Sequence, residues 1–134
     1  MNVKSKINKL LVIPLLFYAF TCLSFNKNDA TLPNITFEKP IVDFGKIKLK
    51  PNTAIDIKFY FKNTGRSPLL IYKIDVSCGC TVPYWNKKPI EKNQRDYIKV
   101  RFKPTNKGIV LKSLFVKTNT SEKVTVIVLK GEIN

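Results

Sequence analysis

Ile55, Ile57, Phe59 and Phe61 alternate with Asp56, Lys58, Tyr60 and Lys62. Side chains that change character at every residue fit a half-buried strand, because strand side chains point to opposite faces in turn. The same period returns where Ile98, Val100 and Phe102 alternate with Tyr97, Lys99 and Arg101. Further strand patterns lie at Ile35-Thr36-Phe37, Ile41 to Ile47, Ile109 to Thr118 and Val124 to Lys130. Turn residues separate them: Asn63 to Pro68, Pro104 to Gly108, and Asn119 to Glu122. Pro40 lacks a ladder donor, which suits an edge strand or a change of sheet. The run from Leu69 to Val76 is more continuously apolar, as expected nearer the centre of a sandwich. No stretch of the body sustains a 3.6-residue period. The expected fold is all-β, an immunoglobulin-like antiparallel β-sandwich of about seven strands. Phe37, Phe44, Phe59, Phe61, Phe102 and Phe115 are expected to fill its core.

The start of the chain reads differently. Lys4, Lys6 and Lys9 precede an apolar run from Leu10 to Phe20, with no acid before Asp29. A basic segment followed by about 7–15 apolar residues and then small ones is the pattern of a secretory signal. Pro14, Thr21, Cys22 and Ser24 break the run, and a membrane-spanning helix needs about 20 mostly apolar residues. Residues 1–22 are therefore expected to be a signal helix for export, residues 23–33 a polar linker, and residues 34–134 the sandwich. Cys22 closes Tyr18-Ala19-Phe20-Thr21-Cys22, which resembles a bacterial lipoprotein signal in which the cysteine is lipidated. Ordinary cleavage near Ser24, discarding Cys22, is the other reading. The expected location is the periplasm, or a membrane-attached lipoprotein, of a bacterium.

Charge and residue inventory exclude several activities. The 134 residues contain no histidine, which removes a Ser-His-Asp or Cys-His pair and any zinc site with a His ligand. Met1 is the only methionine, so a Met-rich copper site is also excluded. Without the three lysines of the leader, 21 bases face 9 acids, a net +12. Only Arg66, Arg95 and Arg101 among those bases can make bidentate contacts to phosphate or guanine. The charges are scattered and not gathered in one stripe, so no nucleic-acid partner is expected, while electrostatic attraction to an anionic membrane surface or a polyanion fits the excess. Asp43, Asp56, Asp75, Glu91 and Asp96 are spread along the chain with nothing to pair two of them for glycosidase chemistry.

The distinctive motif is Val76-Ser77-Cys78-Gly79-Cys80-Thr81-Val82-Pro83, which follows a strand and leads into the loop Tyr84 to Asn93. With it stand Val42-Asp43-Phe44-Gly45-Lys46-Ile47 and Phe61-Lys62-Asn63-Thr64-Gly65-Arg66-Ser67-Pro68-Leu69. Ile98 to Phe102 and the closing Leu129-Lys130-Gly131-Glu132-Ile133 complete the set. In this order the segments resemble the bacterial immunoglobulin-like family known as domain of unknown function 1573, over residues 40–133. The segment Lys48-Leu49-Lys50-Pro51-Asn52 departs from that pattern, which there is usually acidic or Gly-rich. The resemblance implies an exported sandwich protein, often a lipoprotein, and supplies no activity and no catalytic residue.

Cys78 and Cys80 have three readings. They are small apolar residues capping a strand, or a strained and easily reduced disulfide, or two thiolates for a soft metal such as Cu(I). Tyr84, Trp85, Lys87 and Lys88 form a Pro-flanked loop that could bind a glycan or peptide. The alternative is that Trp85 covers one end of the sandwich. The leading expectation is a non-catalytic exported module of the cell envelope, binding another protein or an envelope polymer through sheet edges or loops. It needs no cofactor, and a lipidated Cys22 would hold it to a membrane. The alternative is a small periplasmic redox or soft-metal protein that uses Cys78-Gly79-Cys80.

Overall fold

A computed structural model describes residues 31–134. The expected signal helix, Cys22 and most of the linker lie outside the described residues. Eight strands follow in order: β1 Ile35–Phe37, β2 Ile41–Ile47, β3 Ile55–Asn63, β4 Ile71–Val76, β5 Thr81–Tyr84, β6 Arg95–Phe102, β7 Gly108–Thr118 and β8 Val124–Ile133. No helix occurs among the described residues. The strands form two four-stranded sheets, β1-β3-β6-β5 and β2-β8-β7-β4. The all-β sandwich is therefore the fold.

Alternation decides which side chains meet between the sheets. In the first sheet Ile57 and Phe59 of β3 lie opposite Val100 and Ile98 of β6, with Phe61 of β3 and Phe102 of β6 buried on the same inner face. Val110, Leu114 and Val116 of β7 and Ile127, Leu129 and Ile133 of β8 supply the second. These side chains form one buried cluster with Leu69, Ile71, Ile74 and Ile90. Burying a side chain of this size contributes about 1.5–3 kcal/mol, so this layer is what holds the sheets together.

The structure corrects four details. There are eight strands, because Thr81–Tyr84 forms a short edge strand against β6 with Pro83 inside it. Proline is tolerated there because an edge strand has one row of unpaired donors. The sandwich is not wholly antiparallel: β2 runs parallel to β8, with Ile41 opposite Val128 and Ile47 opposite Ile133. The strand in the Leu69–Val76 run, expected nearer the centre of the sandwich, sits at a sheet edge. Leu69 precedes β4 and pairs with Ile90 through two backbone hydrogen bonds of 2.9 Å, while Tyr72 and Lys73 face solvent. Phe115 is 39% exposed, because Leu114 and Val116 point inward and force the residue between them to the outer face. Phe37 and Phe44 are half-buried and pack against the core without being enclosed by it.

Pro40 lies where the chain leaves the first sheet for the second, as a blocked ladder position suggests. Of the 23–33 stretch, residues 31–33 lie against the turn after β3. Pro33 is buried, Leu32 C=O accepts the Arg66 N–H at 3.1 Å, and Ser67 Oγ donates to the Thr31 carbonyl. That turn is organised by Asn63, the residue that ends β3.

Candidate functional site

The outer face of the β1-β3-β6-β5 sheet receives the residues that alternate with its core. Register places Tyr60 directly opposite Tyr97, Lys58 opposite Lys99, and Asp56 opposite Arg101. Tyr84 of β5 lies opposite Lys99 on the far side of β6, diagonal to Tyr97. Three exposed tyrosines from three adjacent strands thus share one face. The Tyr60 and Tyr97 rings are 5.8 Å apart between centroids and tilted by 58°. Lys58 Nζ sits 4.4 Å from the centre of the Tyr97 ring, a cation–π contact.

Tyr97 forms the wall between two clefts. One, of about 380 Å³, is lined by Tyr84, Trp85, Asn86, Asp96, Tyr97 and Lys99. The other, of about 490 Å³, is lined by Glu38, Tyr60, Arg95, Asp96 and Tyr97. Asp96 belongs to both. Its Oδ1 accepts the Tyr97 N–H at 2.7 Å and its Oδ2 accepts Asn86 Nδ2 at 3.2 Å. The carboxylate therefore fixes the Trp85 loop against β6. Asn86 Oδ1 in turn accepts the Lys88 N–H at 3.0 Å, which sets the tight bend 86–88.

The expected loop residues take different positions. Tyr84 points outward into the first cleft. Trp85 borders the same cleft but packs against the core, and its indole N–H donates to the Ile71 carbonyl at 3.1 Å. The indole thus plugs the gap between β4 and β5 and caps the start of edge strand β4. Lys87 Nζ lies 3.0 Å from the centre of the Trp85 ring. Lys88 is exposed and lines neither cleft. Tyr60, Tyr97 and Lys58 carry the face, and sequence reasoning does not single them out. The one signal for them is that two of the alternating solvent positions are aromatic.

Asp56 completes one end of the face. Arg101 binds it with two hydrogen bonds of 2.7 Å, and Lys99 Nζ lies 3.0 Å away. The Arg101 guanidinium, and then Lys99, hold the Asp56 carboxyl well below the usual carboxylate range. A carboxylate with a depressed folded-state pKa stabilises the fold above its unfolded pKa, and the contribution is lost as pH falls through the folded value. The melting temperature of wild type should exceed that of Asp56→Asn at neutral pH. That gap should narrow through the acid range below about pH 4, and added salt should shrink it because the pair is exposed. Thermal melts at a series of pH values check this; a gap independent of pH would refute it. Asp75, on the opposite outer face, is lowered likewise by Lys73 and then Lys117.

Cys78 and Cys80 are joined to each other, with Cα atoms 5.5 Å apart. Both are half-buried, and Cys80 packs against the core cluster. Among the described residues no group of three or more Cys, Asp or Glu side chains is placed to hold a metal ion. The carboxylates scattered along the sequence do not converge: Asp43 pairs with Lys130, Asp56 with Arg101 and Lys99, and Asp75 with Lys73 and Lys117.

A family model described as "Protein of unknown function (DUF1573)" matches residues 35–133. No curated protein matches the sequence. Among solved structures, a protein of unknown function from Porphyromonas gingivalis W83 superposes with a TM-score of 0.67 at 12% identity. The match covers 78% of this chain and 48% of that one, so this chain spans about half its length. The ASH / PapD-like domain 7 of human CEP192 gives 0.60 at 10% identity, covering 83% of this chain and 91% of that domain. The secreted serine protease VesC from Vibrio cholerae gives 0.57 at 10% identity, over 78% of this chain and 24% of the protease. At these identities the likeness is one of fold alone.

Proposed function

The chain belongs to the DUF1573 family of proteins of unknown function, which carries a sandwich and no assigned activity, and we propose that it is a non-catalytic, exported binding module of the bacterial cell envelope. The supporting observation is the face built on Tyr60, Tyr97 and Tyr84, with a cleft on each side of Tyr97. Exposed aromatics with lysine neighbours offer rigid contact area and a polar tip at small entropic loss, which is what hot spots of interfaces are made of. The partner is a protein or an envelope polymer. The periplasm, and a membrane tether through Cys22, belong to the same proposal.

Binding through this face and the Trp85 loop is preferred to binding through sheet edges. Each edge is blunted in a way that discourages strand addition. β1 is three residues long, β5 is four and contains Pro83, and β2 is kinked where its register shifts between Asp43 and Lys46. β4 presents Lys73, and Trp85 already occupies its Ile71 carbonyl.

A photo-crosslinking residue placed at Tyr97 or Tyr84 in intact cells should give a discrete adduct that the same residue at Tyr72 does not. Equal crosslinking at all three positions, or none at any, would remove the proposal. A second reading is favoured by the Cys78–Cys80 bond. In it a partner thiolate attacks one sulfur and the other leaves as thiolate, giving a mixed disulfide. That reading requires Cys78→Ser with Cys80→Ser to abolish function in a folded protein. The binding reading expects only a stability loss of about 1.5 kcal/mol, since so short a loop removes little entropy from the unfolded chain.

A further inference from the structure

We propose that the pole of the sandwich formed by the β2–β3 and β6–β7 connections docks on an anionic lipid bilayer surface. Strand register brings these connections to one end, since Ile55 lies opposite Phe102 and Ile133 lies opposite both Gly108 and Ile47. Backbone hydrogen bonds tie them to the C-terminus and to Cys80. Asn134 N–H donates to Ile47 at 3.0 Å, Leu49 N–H to Asn134 at 2.8 Å, and Lys103 N–H to Cys80 at 2.9 Å. Lys46, Lys48, Lys50, Lys103 and Lys107 are thereby placed around one end of the molecule, and all five are exposed. Two carboxylates border the cleft beside Lys46 and Ile109, and both are held by lysines: Glu132 by Lys46 at 2.9 Å and Asp43 by Lys130 at 3.6 Å. The other four lysines of the five meet no acid in an ion pair among the described residues.

Beside this basic ring stands an aliphatic ridge. Ile109 is 90% exposed and Leu111 is 66% exposed, on successive outward positions of β7. At these two residues β7 pairs with β8 on one side, Ile109 opposite Glu132 and Leu111 opposite Lys130, while β4 reaches only Leu114–Thr118. Single exposed aliphatics are ordinary. Two in line, next to five cations, form a pair of signals that one surface satisfies: headgroup phosphates attract the lysines and the acyl boundary accepts the ridge. A soluble polyanion would leave Ile109 and Leu111 in water, and a neutral bilayer would leave the lysines without counter-charge. The described chain enters at the opposite pole, where Leu32 and Pro33 pack beside Gly65.

Co-sedimentation of the full chain with phosphatidylcholine vesicles, with and without phosphatidylglycerol, tests this. All variants share the leading segment, so its own lipid affinity cancels. Binding should require phosphatidylglycerol and weaken with salt. At about fivefold per lysine, K48Q/K50Q/K107Q should lower the partition coefficient about a hundredfold. Ile109→Ser alone should lower it about tenfold. K92Q/K123Q, exposed lysines at the opposite pole, should leave it unchanged. Three results would overturn the assignment: equal loss in K92Q/K123Q, binding indifferent to phosphatidylglycerol, or no effect of Ile109→Ser. So would a stable dimer that Ile109→Ser dissolves, which would give the ridge to a second copy.

Discussion

Asn63→Ala is expected to destabilise the sandwich by about 3–5 kcal/mol, given about 1–3 kcal/mol for each buried polar group left unsatisfied. Asn63 is fully buried at the end of β3. Its Oδ1 accepts the N–H groups of Gly65 at 3.0 Å and Asn34 at 3.3 Å. Its Nδ2 donates to the carbonyls of Ser67 at 2.8 Å and Ile90 at 2.9 Å. One side chain therefore ties together the entry to β1, the turn after β3, and the β5–β6 loop at Ile90. Alanine leaves the Gly65 and Asn34 donors without this acceptor and opens a void the size of an amide. Asn63→Asp separates the two halves of the argument. It keeps the acceptor but sets an oxygen against two carbonyls, so it should be no milder than alanine. Urea unfolding of the three proteins decides this, and for a domain of this size the loss corresponds to roughly 15–25 °C in melting temperature. A loss under about 1 kcal/mol for either variant would show that water replaces the amide and that the corner is not the anchor.

Much of the fold is legible in the sequence, and the reason is local. The two-residue period of Ile55 to Lys62 states which half of β3 is buried, and Pro40 marks the change of sheet. What fails is whatever depends on partners far along the chain. The Leu69–Val76 run looks central because Leu69 and Leu70 extend it, yet Leu69 belongs to a bridge with Ile90, and β4 has a neighbour on one side only. Phe115 looks like core because Leu114 and Val116 flank it, and a continuous apolar run hides its own parity. The parallel β2–β8 pair joins residues separated by most of the domain, so no short pattern announces it.

The candidate site divides the same way. The Tyr84–Lys88 loop stands out in sequence because Tyr, Trp and Lys are crowded together. The structure turns Trp85 toward the core and puts Tyr60 and Tyr97 beside Tyr84. In sequence, Tyr60 and Tyr97 are simply members of the solvent half of two alternating strands. Their adjacency comes from the register of β3 on β6, and register is set by the hydrophobic faces and the connections together.

Gly65→Ala should cost about 3 kcal/mol or more, at the upper end of what inserting one methyl group into a packed site does. A Cβ at residue 65 would fall against Leu32 O, Pro33 C and Asn34 N. All three are backbone atoms, so no side chain can rotate away. The segment itself must move, and moving it breaks the hydrogen bonds from Arg66 N–H to Leu32 and from Thr64 N–H to Asn34. That escape route limits the damage and gives it a location. β1 has three residues and pairs only with β3, so releasing it is cheaper than unfolding both sheets. Gly65→Ala should therefore lower stability until β1 detaches and then lower it no further, whereas Asn63→Ala weakens the whole corner. Hydrogen exchange makes the distinction. In Gly65→Ala the amides of Ile35 to Phe37 should lose protection by about a hundredfold or more, as about 3 kcal/mol of local destabilisation requires, while those of Leu114 and Leu129 keep most of theirs. Uniform loss across both sheets would mean that β1 cannot be released separately. Unchanged protection at β1 would mean that the close approach of Gly65 to residues 32–34 is not what the turn depends on.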